Sequence, residues 1–233
     1  MINEGQRLEA RFRKLACFDF DGTLVDGFPP EAPFIWRILH EHFRSPRDEV
    51  ASQRERFFSG ECTYREWFEH DIRLLRAAGA DRSGMLDALA GLEPMDGVRE
   101  VVRILREAGW YVAVLSGSVD VAFDRFFPDN PFHAVLMNRF HFAADGRLSG
   151  GEATPFDVAG KADGLRHLAR LAGVEREDTV FVGDSYNDRD AALAAGTSIA
   201  FNCRDPRLSS VATHTIPWPA RDLRAILPFL GFS

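Results

Sequence analysis

The chain is short of cysteine, of long apolar runs and of positive charge, and each shortage closes off a class of protein. Its three cysteines, Cys17, Cys62 and Cys203, are odd in number and far apart. They offer neither a zinc spacing nor a disulfide framework, which fits a reducing compartment. No stretch approaches the roughly eighteen apolar residues of a membrane-spanning helix, so no membrane association is expected. A formal charge of −7 argues against a general nucleic-acid binder, whose binding face is usually basic. None of the seven histidines stands in an HExxH or other metal-binding spacing. The first fourteen residues carry Arg7, Arg11, Arg13 and Lys14 but not the apolar stretch of a signal peptide. A solvated leader or short helix is expected there, and a cytoplasmic protein.

What is present is ordinary for a folded domain. Apolar residues make up 45% of 233, enough for one sizeable core or a core with a smaller insert. Between Gly27 and about Pro94 strand signals stop, and helices are expected over 31–43, 47–58, 63–78 and 82–90. Pro29, Pro30 and Pro33 stiffen the entry to this segment; Pro94 and Gly97 mark its exit. Elsewhere strand and helix alternate. Val98, Val101, Val102 and Leu105 share one helical face ended by Gly109, and Leu165, Leu168, Ala169 and Ala172 repeat the pattern up to Gly173. Strands are expected at 110–115, 179–182, 197–201 and 214–216, a hairpin from 135 to 148 around Asp145-Gly146, and a closing helix over 220–229. The fold class is therefore α/β: a Rossmann-like, doubly wound parallel sheet from 1–27 and 95–233, with a helical cap, 28–94, inserted after the first strand.

The chemistry gathers where strands end. Leu15-Ala16-Cys17-Phe18 is short enough for a buried strand and runs into Asp19-Phe20-Asp21-Gly22-Thr23-Leu24. Period-two geometry sends Asp19 and Asp21 to one side, where two like charges are costly without a cation beside them. A second apolar run ends in Ser116-Gly117-Ser118, Lys161 opens a helix, and a third run ends in Gly183-Asp184-Ser185-Tyr186-Asn187-Asp188. In an open parallel sheet that edge is where ligands bind. Each piece alone has a plainer reading: Asp-Gly as a turn, Ser116 as a helix cap, Lys161 as a solvated lysine, Asn187 and Asp188 as caps of a helix at 190–195.

The order DxDGT, Ser after a strand, Lys, then GDxxND resembles the haloacid dehalogenase superfamily of phosphohydrolases. The likeness is strongest to the phosphoserine phosphatase group, extending to Val114–Ser118, the segment from Asn138 to Gly150, and Ile199–Asn202. It covers nearly the whole chain from about Leu15. The resemblance implies a Mg²⁺-dependent phosphatase of a small phosphorylated metabolite, with Asp19 as nucleophile and Asp21 as general acid and base. It also implies metal ligation by Asp19, Asp184 and the Asp21 backbone carbonyl, with Asp188 acting through the water shell or Lys161. Ser116, with the amides of Gly117 and Ser118 at a helix start, would hold phosphoryl oxygens, Lys161 would screen charge, and Thr23 and Asn187 would lie near the phosphate. Asp21 marks hydrolysis, since relatives that keep a long-lived aspartyl-phosphate lack that carboxylate. A phosphotransferase or mutase shares Asp19 and Asp21, and a receiver-like signalling domain groups similar residues; the helical insert counts against the latter.

The cap departs from the phosphoserine phosphatases. Where they carry a glutamate that reads the substrate amine, alignment from Asp19 places Phe28; where they carry an arginine that binds its carboxylate, alignment from Gly60 places Asp71. Asp71 falls among Tyr64, Trp67, Phe68, Ile72 and Leu75 at helical spacing. Two readings stand open. Asp71 sits at the stripe's edge, paired with Arg73, Arg76 or solvent, or with Phe28 and aromatic neighbours it faces an amine or quaternary ammonium.

Overall fold

In the computed structural model, which describes residues 12–28 and 34–232, a seven-stranded sheet carries helices on both faces. The chain runs β1 (Lys14–Phe18), β2 (Val25–Asp26), α1 (Ile35–His42), α2 (Arg47–Phe58), α3 (Tyr64–Ala77), α4 (Arg82–Ala88) and β3 (Glu93–Pro94). It continues through α5 (Val98–Glu107), β4 (Trp110–Val119), α6 (Asp120–Phe126), β5 (Ala134–Phe142), β6 (Leu148–Glu152) and α7 (Lys161–Ala172). The last elements are β7 (Thr179–Gly183), α8 (Arg189–Ala194), β8 (Thr197–Cys203), α9 (Pro206–Ser209) and β9 (His214–Pro217), followed by a 3₁₀ segment, Leu223–Leu230.

The strand order is β6-β5-β4-β1-β7-β8-β9, parallel throughout except for the β5–β6 hairpin. After β1 the chain builds outward through β4 and β5, then crosses by α7 to β7 on the other side. The reversal point therefore lies at β1, where a crevice opens beyond the carboxyl ends of β4, β1 and β7. Burial on both faces explains why β1 reads as a continuous apolar run. Ala16 and Phe18 belong to one core with Val112, Val114, Val180 and α5; Leu15 and Cys17 belong to another with Ala113, Leu115, α7 and α8.

Helices α1 to α4 lie between β2 and β3, which pair antiparallel through Val25–Pro94 and Asp26–Glu93. Thr63 caps α3: its hydroxyl accepts from the Glu66 amide at 3.2 Å and the Glu66 carboxylate accepts from the Thr63 amide at 2.7 Å. Helix boundaries otherwise differ little from the expected ones, and three departures have causes. The strand expected to stop at Leu115 runs on to Val119, because Val119 pairs with Asn138 of β5 after a register shift. The closing helix is a 3₁₀ turn with Pro228 inside it, a residue that removes an α-helical hydrogen bond. Helix α8 starts at Arg189, after a 3₁₀ turn spanning Tyr186–Asp188. The expected leader, as far as residue 11, and Pro29, Pro30 and Pro33 lie outside the described residues. No described helix is long and apolar enough to cross a membrane.

Candidate active site

Strand hydrogen bonding in β1 ends at Phe18, and the Asp19 amide continues it once by donating to the Val182 carbonyl at 2.9 Å. The chain then winds tightly: the Phe20 carbonyl accepts from the amides of Leu24 and Val25 at 2.9 and 3.1 Å. Gly22 takes φ +73° in this turn, and a Cβ there would stand 2.7 Å from Cγ of Asp184. A glycine is needed on both counts. It lets the first acidic loop and the acidic end of β7 close on each other.

Two more glycines admit carboxylates in the same way. A Cβ on Gly183 would collide with the Asp188 carboxylate, and one on Gly117 with that of Asp157. The chain thus draws carboxylates from three loops into one space. Asp19, Asp21, Ser116, Gly117, Ser118 and Asp184 line a cavity of about 320 Å³, whose wall also includes Asn187, Asp157 and Asp71.

The compensating cation lies behind this wall. Lys161, fully buried at the start of α7, places Nζ 2.8 Å from Asp19 Oδ1 and 2.6 Å from Asp188 Oδ1. Burial alone would lower its pKa, but Asp188 and Asp19 outweigh that and raise it, so the ammonium is held charged. Asp188 spends its other oxygen on the amides of Asp184 and Ser185, at 3.0 and 3.2 Å. It therefore fixes Lys161 and the β7 loop from below and has both oxygens committed.

The remaining carboxylates are short of positive charge. Burial, and then the charges of Asp188 and Asp19, hold the Asp184 carboxyl well above the usual carboxylate range. Burial, with Asp19 adding to it, pushes Asp188 to about 6 against the pull of Lys161. Asp21 is pushed to about 7, chiefly by burial, although its Oδ2 accepts from the Ile35 amide at 2.9 Å. Ligand atoms of Asp19, Asp184 and Asp188 approach within 4.8 Å of one another. Hard oxygen donors around an uncompensated negative field suit a divalent cation such as Mg²⁺, so the residues fit the metal that the resemblance implies.

Ser116 and the following residues sit differently from expectation. Gly117 and Ser118 belong to the end of β4 and α6 begins only at Asp120, so their amides do not open a helix. The Gly117 peptide is instead fixed from the side. Its carbonyl accepts from Trp36 Nε1 at 2.8 Å and from Asn138 Nδ2 at 2.6 Å, while the Ser118 amide donates to Ser116 Oγ at 3.2 Å.

Besides Lys161 and Asp188, two predicted residues lie off the cavity wall. Thr23 is fully buried under the loop and its hydroxyl has no hydrogen-bond partner. Phe28 is half-buried and packs on the larger core. Asp71 is 6% exposed, so it is neither solvated nor at the stripe's edge; the nearest basic groups are His40 Nε2 at 3.4 Å and His70 Nδ1 at 3.9 Å, not Arg73 or Arg76.

The sequence did not single out Asp157, Trp36, Asn138 or Arg54, the last being the one Lys or Arg side chain in the cavity lining among the described residues. Asp157 lies in what read as a bare connection before Lys161; a carboxylate four residues ahead of the buried lysine was the available signal. Burial raises its pKa against the pull of Lys161. Asn138, an isolated amide in an apolar strand, binds Tyr64 Oη at 2.7 Å and accepts from the Thr154 amide at 2.8 Å.

Comparison with known proteins agrees with this geometry. A model of the haloacid dehalogenase-like hydrolases matches residues 13–196. A phosphoserine phosphatase of Methanocaldococcus jannaschii is 30% identical over 219 residues, 94% of this chain and 98% of the relative. Another, from Archaeoglobus fulgidus, is 33% identical over 197 residues, 84% of this chain and 54% of the relative, so the chain spans about half the length of that protein. A solved phospho-aspartyl intermediate analogue of phosphoserine phosphatase superposes with a TM-score of 0.70 at 28% identity, covering 94% of this chain and 99% of its own.

Proposed function

The chain belongs to the haloacid dehalogenase-like hydrolases, in their phosphoserine phosphatase-like group of phosphoric monoester hydrolases, and from that premise we propose that it is a Mg²⁺-dependent phosphatase of a small phosphorylated metabolite. One observation carries the reading. A carboxylate, Asp19, stands on a cavity floor with a buried ammonium at 2.8 Å, and Asp21, which keeps its proton to about pH 7, lies in the same wall.

Asp19 attacks phosphorus, forming an Oδ–P bond as the P–O bond to the leaving alcohol breaks. Asp21 gives its proton to the departing alkoxide. It then takes one from the water that attacks the aspartyl-phosphate, which frees phosphate and returns Asp19 to its starting state. Lys161 pairs with Asp19 at 2.8 Å and orients it. Ser116 and the Gly117–Ser118 peptide receive phosphoryl oxygens, with Asn187 beside them. Asp19 and Asp184, with the Asp21 carbonyl, would hold Mg²⁺, which supplies charge neutralisation between the carboxylate and the phosphate dianion. Helices α1 to α4 act as the cap that closes over the leaving group. Three free cysteines, two of them buried, accord with a cytoplasmic protein.

The test is phosphate release from p-nitrophenyl phosphate and a panel of metabolite esters, with Mg²⁺ or with chelator. Turnover is expected only with metal and only with Asp19 intact. An Asp19→Asn protein that matches wild type would end the proposal.

A further inference from the structure

The leaving-group side of the cavity carries a negative charge that the phosphate chemistry does not use. Asp71 lies on α3, buried and in the cavity wall. Its Oδ1 makes no hydrogen bond, and neither does His40 Nε2 at 3.4 Å. The other nitrogen of His40 is committed to Ser45 Oγ at 2.9 Å. A buried carboxylate without full partners is costly to the fold, and such groups are kept where a ligand completes them.

The surroundings say what kind of ligand. Trp36 and Trp67 share with Asp71 the wall of the catalytic cavity, and the same three residues border a second cavity of about 580 Å³ between α1 and α2. Trp36 packs edge-on to Phe68 at 5.8 Å and near-parallel to His40 at 6.2 Å. Indole rings lining a wall with a carboxylate favour ammonium groups and above all weakly hydrated quaternary ones. Asp157 adds a second carboxylate to this wall, whose one cation among the described residues, Arg54, is exposed and lies over the Phe58 ring at 5.2 Å. A leaving group bearing a carboxylate would meet Asp71 and Asp157 there, with that single cation, Arg54, to offset them.

We propose that the enzyme selects phosphate esters of small alcohols that carry an ammonium or quaternary ammonium group, read by Asp71 between Trp36 and Trp67. This rests on the phosphatase reading above. The step itself is unchanged: water enters, and the cationic alcohol and phosphate leave.

Matched esters test it. Phosphocholine is compared with 3,3-dimethylbutyl phosphate, which has the same shape and no charge, and phosphoethanolamine with propyl phosphate. The wild-type kcat/KM is expected to favour the charged member of each pair by tenfold or more, and Asp71→Asn to bring both ratios close to one. A wild-type ratio at or below one overturns the inference, and needs no variant to fold. So does an Asp71→Asn protein that keeps the wild-type ratios, or a preference for O-phosphoserine over phosphoethanolamine. Cleavage of p-nitrophenyl phosphate without charge preference removes this inference alone. Failure to cleave any ester, p-nitrophenyl phosphate included, removes the phosphatase reading and this one with it.

Discussion

Replacing Lys161 by methionine keeps most of the side-chain volume and deletes the ammonium on which two buried carboxylates depend. Each contact, at 2.8 and 2.6 Å, is worth about 6 kcal/mol of Coulomb attraction at an effective dielectric of ~20, before the desolvation of the ions is set against it. The net figure is smaller: removing one partner from a buried pair typically destabilises by about 3–5 kcal/mol, because the other charge stays buried and uncompensated. For a chain of this length each kcal/mol moves the midpoint by about 2–4 °C, so Lys161→Met should melt roughly 6–20 °C below wild type at pH 8. The loss has a sign in pH. Asp188 already sits at about 6 with Lys161 present, and losing the ammonium raises it further. A carboxyl raised in the fold stays protonated there while its unfolded counterpart ionises, so stability falls as pH rises from about 4 through the folded value. The deficit should therefore shrink toward pH 5.

A second substitution separates stability from catalysis. Lys161→Met with Asp188→Asn removes one of the two stranded charges. It should recover more than half of the lost midpoint, while phosphate release stays at least 100-fold below wild type because Asp19 still lacks its cation. Thermal melts followed by circular dichroism and steady-state assays on the four proteins of the cycle provide the readout. A Lys161→Met protein as stable as wild type at pH 8 would refute the reasoning, since the lysine would then not be compensating buried charge.

Gly117→Ala should drive a methyl group into the Asp157 carboxylate and cost about 1–3 kcal/mol, as overpacking commonly does; adding Asp157→Ala should restore the melting temperature, and an unshifted melt in the single variant would contradict the contact. Without metal, Asp21 at about 7, Asp188 at about 6 and the raised Asp184 each make the fold less stable as pH climbs from about 4 toward 7. Mg²⁺ should therefore raise the melting temperature more at pH 8 than at pH 5, and an equal gain at both would show that these carboxylates do not hold it.

Residues that gather at the sheet's carboxyl edge were legible in the sequence by their position. Asp19, Ser116 and Asp184 come directly after apolar runs, and the sheet brings those ends together because β1 pairs with both β4 and β7. What escaped depends on elements far apart in sequence. Ser116-Gly117-Ser118 looks like punctuation before a helix, yet pairing with β5 keeps it extended to Val119. Trp36 was hidden in a helix whose period marks it only as apolar, although it reaches 81 residues along the chain to the Gly117 carbonyl. Asp157 drew no notice because its partners, Tyr64 and the bare Cα of Gly117, become neighbours only in three dimensions. Asp71 was conspicuous as a charge among aromatics, but periodicity could not tell a buried wall from a wet edge.

The helical insert and the acidic loop after β1 are joined through Asp21 and the Gly117 peptide. Helix α1 has no side-chain cap of its own; its first amide, that of Ile35, donates to Asp21. That bond favours the ionised acid and opposes the burial that protonates it, so the position of α1 bears directly on when Asp21 can give up its proton. One residue later Trp36 bonds to the Gly117 carbonyl, and Tyr64 of α3 reaches the same peptide through Asn138. The aromatic residues Trp36 and Tyr64 that line the cavity therefore also fix the Gly117 peptide in its wall. A leaving group that shifts Trp36 or Tyr64 must disturb Asp21 or Gly117 as well, which makes recognition of the alcohol and orientation of the phosphate a single structural event.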